Sequence, residues 1–147
     1  MPDTPEASRP ETIIAFDFGL RRIGVAVGQT VTGSASPLGV VINGENGPDE
    51  ARIAGLIAEW RPSRLVVGMP AHGDGSPSEM QAHVRTFMAE LASLGLPVDT
   101  VDERYTSIEA GNVLKQARAL GSSGRISKEM IDSAAAVCIA ERYLAAR

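Results

Sequence analysis

The chain has one cysteine in 147 residues, two histidines and 4% aromatic residues. No apolar run approaches the length that spans a bilayer. Each shortage closes off a class of explanation. Cys138 has no second cysteine to pair with, and its alanine-rich surroundings suit a small buried residue better than a nucleophile. His72 lies in a Gly/Pro-rich loop and His83 on the polar side of a helix, which makes a poor basis for a zinc site. Positive charge is not in excess either. A formal net charge of -4 argues mildly against nucleic acid as a partner. Residues Met1 to Glu11 are polar and acidic and lack the basic region and apolar core of a secretory signal. They are expected to form a flexible tail ahead of one domain over residues 12–147, in a cytoplasmic protein.

What is present is organised around Ile13 to Gly28. Two apolar runs rich in β-branched residues flank Gly19 to Arg22, the pattern of a β-hairpin at the centre of a sheet. A third strand is expected near 36–42. A helix is expected to start at Gly47-Pro48, with proline in the first helical position and Asp49 and Glu50 in the first turn. Ile53, Leu56, Ile57 and Trp60 share one face of it, so Trp60 reads as core rather than as a platform for a base. Arg64 to Gly68 reads as a short buried strand. Ser76 and Glu79 form a capping box before a second helix, and Leu96 to Val101 returns as a strand. Thr106 and Glu109 open another helix toward Leu120, Gly121 to Gly124 links, and a long helix runs from about Ser127 to Ala145. The expected fold class is α/β: a mixed five-stranded sheet, with a three-stranded antiparallel meander, two parallel strands and helices on both faces.

Asp17 is the anomaly in this scheme. It ends a central strand among apolar neighbours, where an ionised carboxylate is costly unless paired. Glu103 ends the last strand. Asp132 shares a helix face with Ala135, Ala136, Ile139 and Tyr143, and those alanines let the helix approach the sheet closely. Lys128 lies one turn earlier, so a plain Lys128–Asp132 pair is the modest alternative. Two carboxylates about 4 Å apart repel by roughly 4 kcal/mol at an effective dielectric near 20. Three converging acids therefore call for a counter-charge, and Mg²⁺ or Mn²⁺ suits oxygen-only ligands. From Arg104 to Lys128 the chain carries an excess of four positive charges, through Arg104, Lys115, Arg118, Arg125 and Lys128 against Glu109. That strip reads equally as a solvated helix face or as a phosphate-binding flank.

These residues resemble the YqgF/RuvX family, Holliday-junction-resolvase-like proteins of the ribonuclease H-like superfamily. The resemblance runs from about Thr12 to Leu144. It rests on Ala15-Phe16-Asp17-Phe18-Gly19 with Arg22-Ile23-Gly24-Val25-Ala26-Val27-Gly28, and on Val67-Gly68-Met69-Pro70 with Asp74-Gly75. Asp102-Glu103-Arg104, and Lys128 with Ile131-Asp132-Ser133-Ala134-Ala135, complete it. It implies a ribonuclease H-like sheet and a divalent-metal nuclease with an acidic triad at Asp17, Glu103 and Asp132. It implies a substrate in the 5′ region of the small-subunit ribosomal RNA precursor, or branched DNA, with ribosomal particles as a further partner. Lys128 would orient the scissile phosphate or the attacking water. Arg21, Arg22, Arg104 and Arg125 would hold flanking phosphates, simple solubility of the turn being an even alternative for Arg21 and Arg22. The sequence departs from the family pattern at Leu20, where threonine is frequent, and at Tyr105, where an aliphatic residue is usual. Ala135 stands where RuvC-type resolvases carry a fourth acid, which favours RNA cleavage over junction resolution. Two other classes remain: a non-catalytic nucleic-acid adaptor on the same fold, and a small actin-like phosphotransferase, for which 147 residues are too few.

Overall fold

A computed structural model describes residues 10–70, 79–103 and 128–146, with the side chains of Glu103 and Lys128 outside that description. Its elements are β1 (Thr12–Asp17), β2 (Arg22–Gln29), β3 (Ser34–Gly44), β4 (Gly47–Pro48), α1 (Glu50–Trp60), β5 (Arg64–Pro70), α2 (Met80–Ala92), β6 (Val98–Glu103) and α3 (Lys128–Ala145). The strands form one sheet in the order β4-β3-β2-β1-β5-β6. β1 to β4 run as antiparallel neighbours, whereas β5 pairs in parallel with both β1 and β6. The meander and the two parallel strands are those expected, and β4 is the addition.

β1 is central, which is why its residues 13–16 are apolar without alternation: both faces are covered. Ile14 and Phe16 join Ile23, Val25, Leu65 and Val67 under α1 and α2, meeting Ile53, Leu56, Val84, Phe87 and Leu91. Phe16 and Phe87 meet edge to face, centroids 5.5 Å apart. Trp60 packs at the margin of this cluster, as expected. Ile13, Ala15 and Val66 point the other way, onto Ile139 and Ala140 of α3. That face is lined with smaller residues, Ala26 and Ala136 among them, and α3 lies correspondingly close.

The start of α1 corrects the sequence reading. Gly47 and Pro48 pair with Gly44 and Asn43 as an edge strand, and Asp49 is the N-cap, its Oδ1 accepting from the Arg52 amide at 3.2 Å. A proline is tolerated on an edge, and a capping carboxylate satisfies an orphan amide that Pro48 could not. The Ser76 capping box, the helix opened at Thr106 and the Gly121 to Gly124 link lie outside the described residues. So do residues 1–9 of the expected tail. Glu11 is anchored to Thr30 by backbone and side-chain hydrogen bonds. No described helix is long and apolar enough to cross a membrane.

A bulge in β3 helps to seat α3. Val25 pairs with Gly39 and Ala26 with Pro37, leaving Leu38 as the extra residue, and Gly39 takes φ +102. The Gly39 amide donates to Ser133 Oγ at 3.2 Å, and Ser133 Oγ donates to the Val25 carbonyl at 3.2 Å. Ser133 is buried and satisfied on both sides. Ser133→Ala is therefore expected to cost about 1–3 kcal/mol, because it strands the Gly39 amide. Urea unfolding at constant m-value measures this, and an unchanged midpoint would contradict it.

At the other end of α3, Tyr143 Oη and Arg64 Nη1 meet Asp99 Oδ2 at 2.6 and 2.7 Å. The hydrogen bond to Asp99 holds the Arg64 guanidinium above its ordinary pKa, despite desolvation that pulls it down.

Candidate active site

Asp17, Gly24 and Asp132 define the centre of the candidate site. Asp17 is the last residue of β1 and stands opposite Gly24 in the antiparallel ladder. Directly opposed residues project from the same face of a sheet. A Cβ built on Gly24 would lie 1.9 Å from the Asp132 carbonyl oxygen and 2.5 Å from its carbonyl carbon. The face of the sheet that carries Asp17 is thus the face on which the first turns of α3 rest. The backbone at Asp132 reaches β2 only because residue 24 has no side chain. Ile13 and Ala15, which share the parity of Asp17, meet α3 further down.

The Asp132 carboxylate has a partner the sequence reading did not foresee. Arg22 Nε donates to Asp132 Oδ2 at 2.8 Å, with side chains 30% and 28% exposed. Arg22 is two residues from Gly24 and on the same face, so the carboxylate leans toward the hairpin end of the sheet. Turn solubility does not account for Arg22: it opens β2, half-buried and ion-paired. Arg21 is exposed in the turn itself, next to exposed Leu20. Asn43 pins that turn, its Nδ2 donating to the Gly19 carbonyl at 2.8 Å and its amide to the Arg21 carbonyl at 2.9 Å. Gly19 is required there, since a Cβ would lie 2.4 Å from the Arg22 carbonyl oxygen.

Glu103 ends β6 opposite Pro70. Lys128 opens α3. Arg104 and Arg125 lie outside the described residues. Among the described residues no three acids, histidines or cysteines form a group able to hold an ion. Two members of the expected triad are thus brought to one face at the end of the central strand, and the third is placed by its backbone at the end of β6. Asp17 and Asp132 offer oxygen donors only, and a positive group already stands against one of them. This donor set fits a hard divalent cation. Sequence reasoning gave no role to Asn43 or to Ser133 and did not foresee the Arg22–Asp132 pair. A serine interrupting an alanine-rich apolar face was the available signal for Ser133.

Comparison with known proteins bears on the fold and the family. A protein of Burkholderia lata bearing the provisional name pre-16S rRNA nuclease is 43% identical over 139 residues, covering 94% of this chain and 91% of that one. One of Paraburkholderia xenovorans with the same name is 43% identical over 139 residues, with 94% and 90% covered. Among solved structures, Thermus thermophilus RuvC bound to a Holliday junction matches with a TM-score of 0.53 at 18% identity, covering 93% of this chain and 95% of that one. The Fowlpox virus resolvase bound to junction DNA matches at 0.55 and 7% identity, with 92% and 97% covered. These two likenesses establish the fold. The family model described as RuvX, Holliday junction resolvase, matches residues 11–146. The chain belongs to the RuvX family.

Proposed function

We propose that this protein is a divalent-metal-dependent endonuclease that hydrolyses phosphodiester bonds in the 16S ribosomal RNA precursor. The observation that carries this is the placement of Asp17 and Asp132 about Gly24 at the end of the central strand. The names of the Burkholderia and Paraburkholderia relatives supply the substrate.

In this reading Asp17, Asp132 and Glu103 hold Mg²⁺ or Mn²⁺. The ion, when bound, supplies positive charge that polarises the phosphate and acidifies water. The protein does the rest by placement. Asp17 sits on the most constrained strand of the sheet, which fixes its position against the incoming phosphate. Exposed Arg21, on a turn pinned by Asn43, grips a neighbouring phosphate of the same strand. Arg104 and Arg125 extend that grip, and Lys128 orients the scissile phosphate or the water. Ala135, buried beside Ala134, offers no fourth carboxylate one turn beyond Asp132.

Junction resolution is the second reading, favoured by the description of the family model. One assay separates the two: a 5′ fragment of the 16S precursor and a four-way DNA junction, each incubated with Mn²⁺ or EDTA. Cleavage of the RNA in Mn²⁺ alone is expected. Cleavage of the junction only would favour the second reading, and cleavage of neither would remove the nuclease assignment.

A further inference from the structure

We propose that Arg22 is a substrate-sensitive gate on the Asp132 carboxylate: its guanidinium occupies that acid until a nucleic-acid phosphate draws it away, and only then does the metal bind at full strength. This deepens the metal-nuclease reading above and rests on it.

Three observations lead here. Arg22 and Asp132 are 110 positions apart and meet at 2.8 Å, so the ion pair is a product of α3 docking rather than a local helix contact. Arg22 engages Asp132 through Nε. Among the described residues its terminal amino groups have no hydrogen bond, and those groups form the fork that takes a phosphate in bidentate fashion. The pair is also near the surface, its two side chains 30% and 28% exposed, and it lies beside the turn that carries exposed Arg21. A polyanion laid along that turn reaches Arg21 and the fork of Arg22 together.

The charge balance sets the direction of the effect. With Arg22 on Asp132, a divalent cation approaching the same carboxylate meets a like charge at short range and competes for one of its oxygens. A phosphate on the fork offsets the guanidinium charge and offers it a second anion. Phosphate and metal therefore favour one another. By linkage, the factor by which nucleic acid tightens the metal equals the factor by which the metal tightens nucleic acid. Arg22 acts through Asp132 and is a positioning residue with respect to the metal.

The test is Mn²⁺ affinity by titration calorimetry, with and without a hydrolysis-resistant phosphorothioate RNA dodecamer, for the wild type, Arg22→Gln and Arg22→Lys. In the wild type the RNA is expected to tighten Mn²⁺ roughly tenfold. Arg22→Gln is expected to bind Mn²⁺ about tenfold more tightly than wild type without RNA, and to gain little from RNA. Arg22→Lys keeps the charge but not the fork. It is expected to bind Mn²⁺ much as wild type does without RNA while losing most of the RNA response, so a fault in the folding of the glutamine variant leaves this second readout. Equal Mn²⁺ affinity in wild type and a folded Arg22→Gln, or a full RNA response in Arg22→Lys, would overturn the gate. Failure of the underlying reading looks different: Mn²⁺ binding that is absent, or is unchanged by Asp17→Asn, removes the metal site itself and the gate with it.

Discussion

Asp17→Asn is expected to reduce Mn²⁺-dependent cleavage of the precursor fragment by more than about a hundredfold. Loss of a hydrogen-bonding partner behind a metal ligand already costs roughly ten- to a hundredfold, so loss of a direct ligand costs more. The substitution keeps the shape of the side chain and removes its charge. Asp17 terminates β1 without belonging to the buried clusters, so the fold is expected to survive. RNA binding should be unchanged or tighter, because one negative charge leaves the path of a polyanion. Filter binding and cleavage measured on one preparation separate the two effects. Equal cleavage by variant and wild type would show that Asp17 does no catalysis and would point to a contaminating nuclease.

Gly24→Ala is expected to have the largest effect on stability. The added carbon would meet backbone atoms of Asp132 at 1.9 and 2.5 Å, and no rotamer change removes a clash with backbone. α3 must lift, at a cost of about 3 kcal/mol or more. For a chain of this size that lowers Tm by about 10 °C. Cleavage should fall with it, because lifting α3 separates Asp132 from Asp17. Gly55→Ala is the control. Its Cβ would meet nothing within 4 Å, and it lies on the exposed side of α1. That change should raise stability by about 0.5–1 kcal/mol through helix propensity. A Gly24→Ala protein that melts like wild type would remove the close approach of α3 from the account.

The contrast between Asp17 and Arg22 shows where reading a single sequence stops. Asp17 was legible because a charge at the end of an apolar, β-branched run breaks a local pattern. The central place of β1, the two parallel strands and the span of α3 followed from the same kind of local evidence. β4 was not legible. Two residues carry no alternation, and Pro48 has a strong preference for the first turn of a helix that an edge pairing with Asn43 overrode. Arg22, at the junction of the turn and the second strand, read evenly as a phosphate-holding residue or as a soluble turn residue, and neither reading supplied its partner. Its ion pair depends on where α3 lands, and nothing within a few positions of either residue encodes that. Gly24 was visible only as one small residue in an alternating strand, and its role depends on the helix above it.

The order of elements along the chain has a consequence for synthesis. Every strand of the sheet precedes α3, and Asp132 lies within α3. A polypeptide emerging from its N-terminus therefore completes its β-scaffold, Asp17 included, while still lacking Asp132. Hydrolytic competence would arrive as a late event of maturation, when the final helix settles.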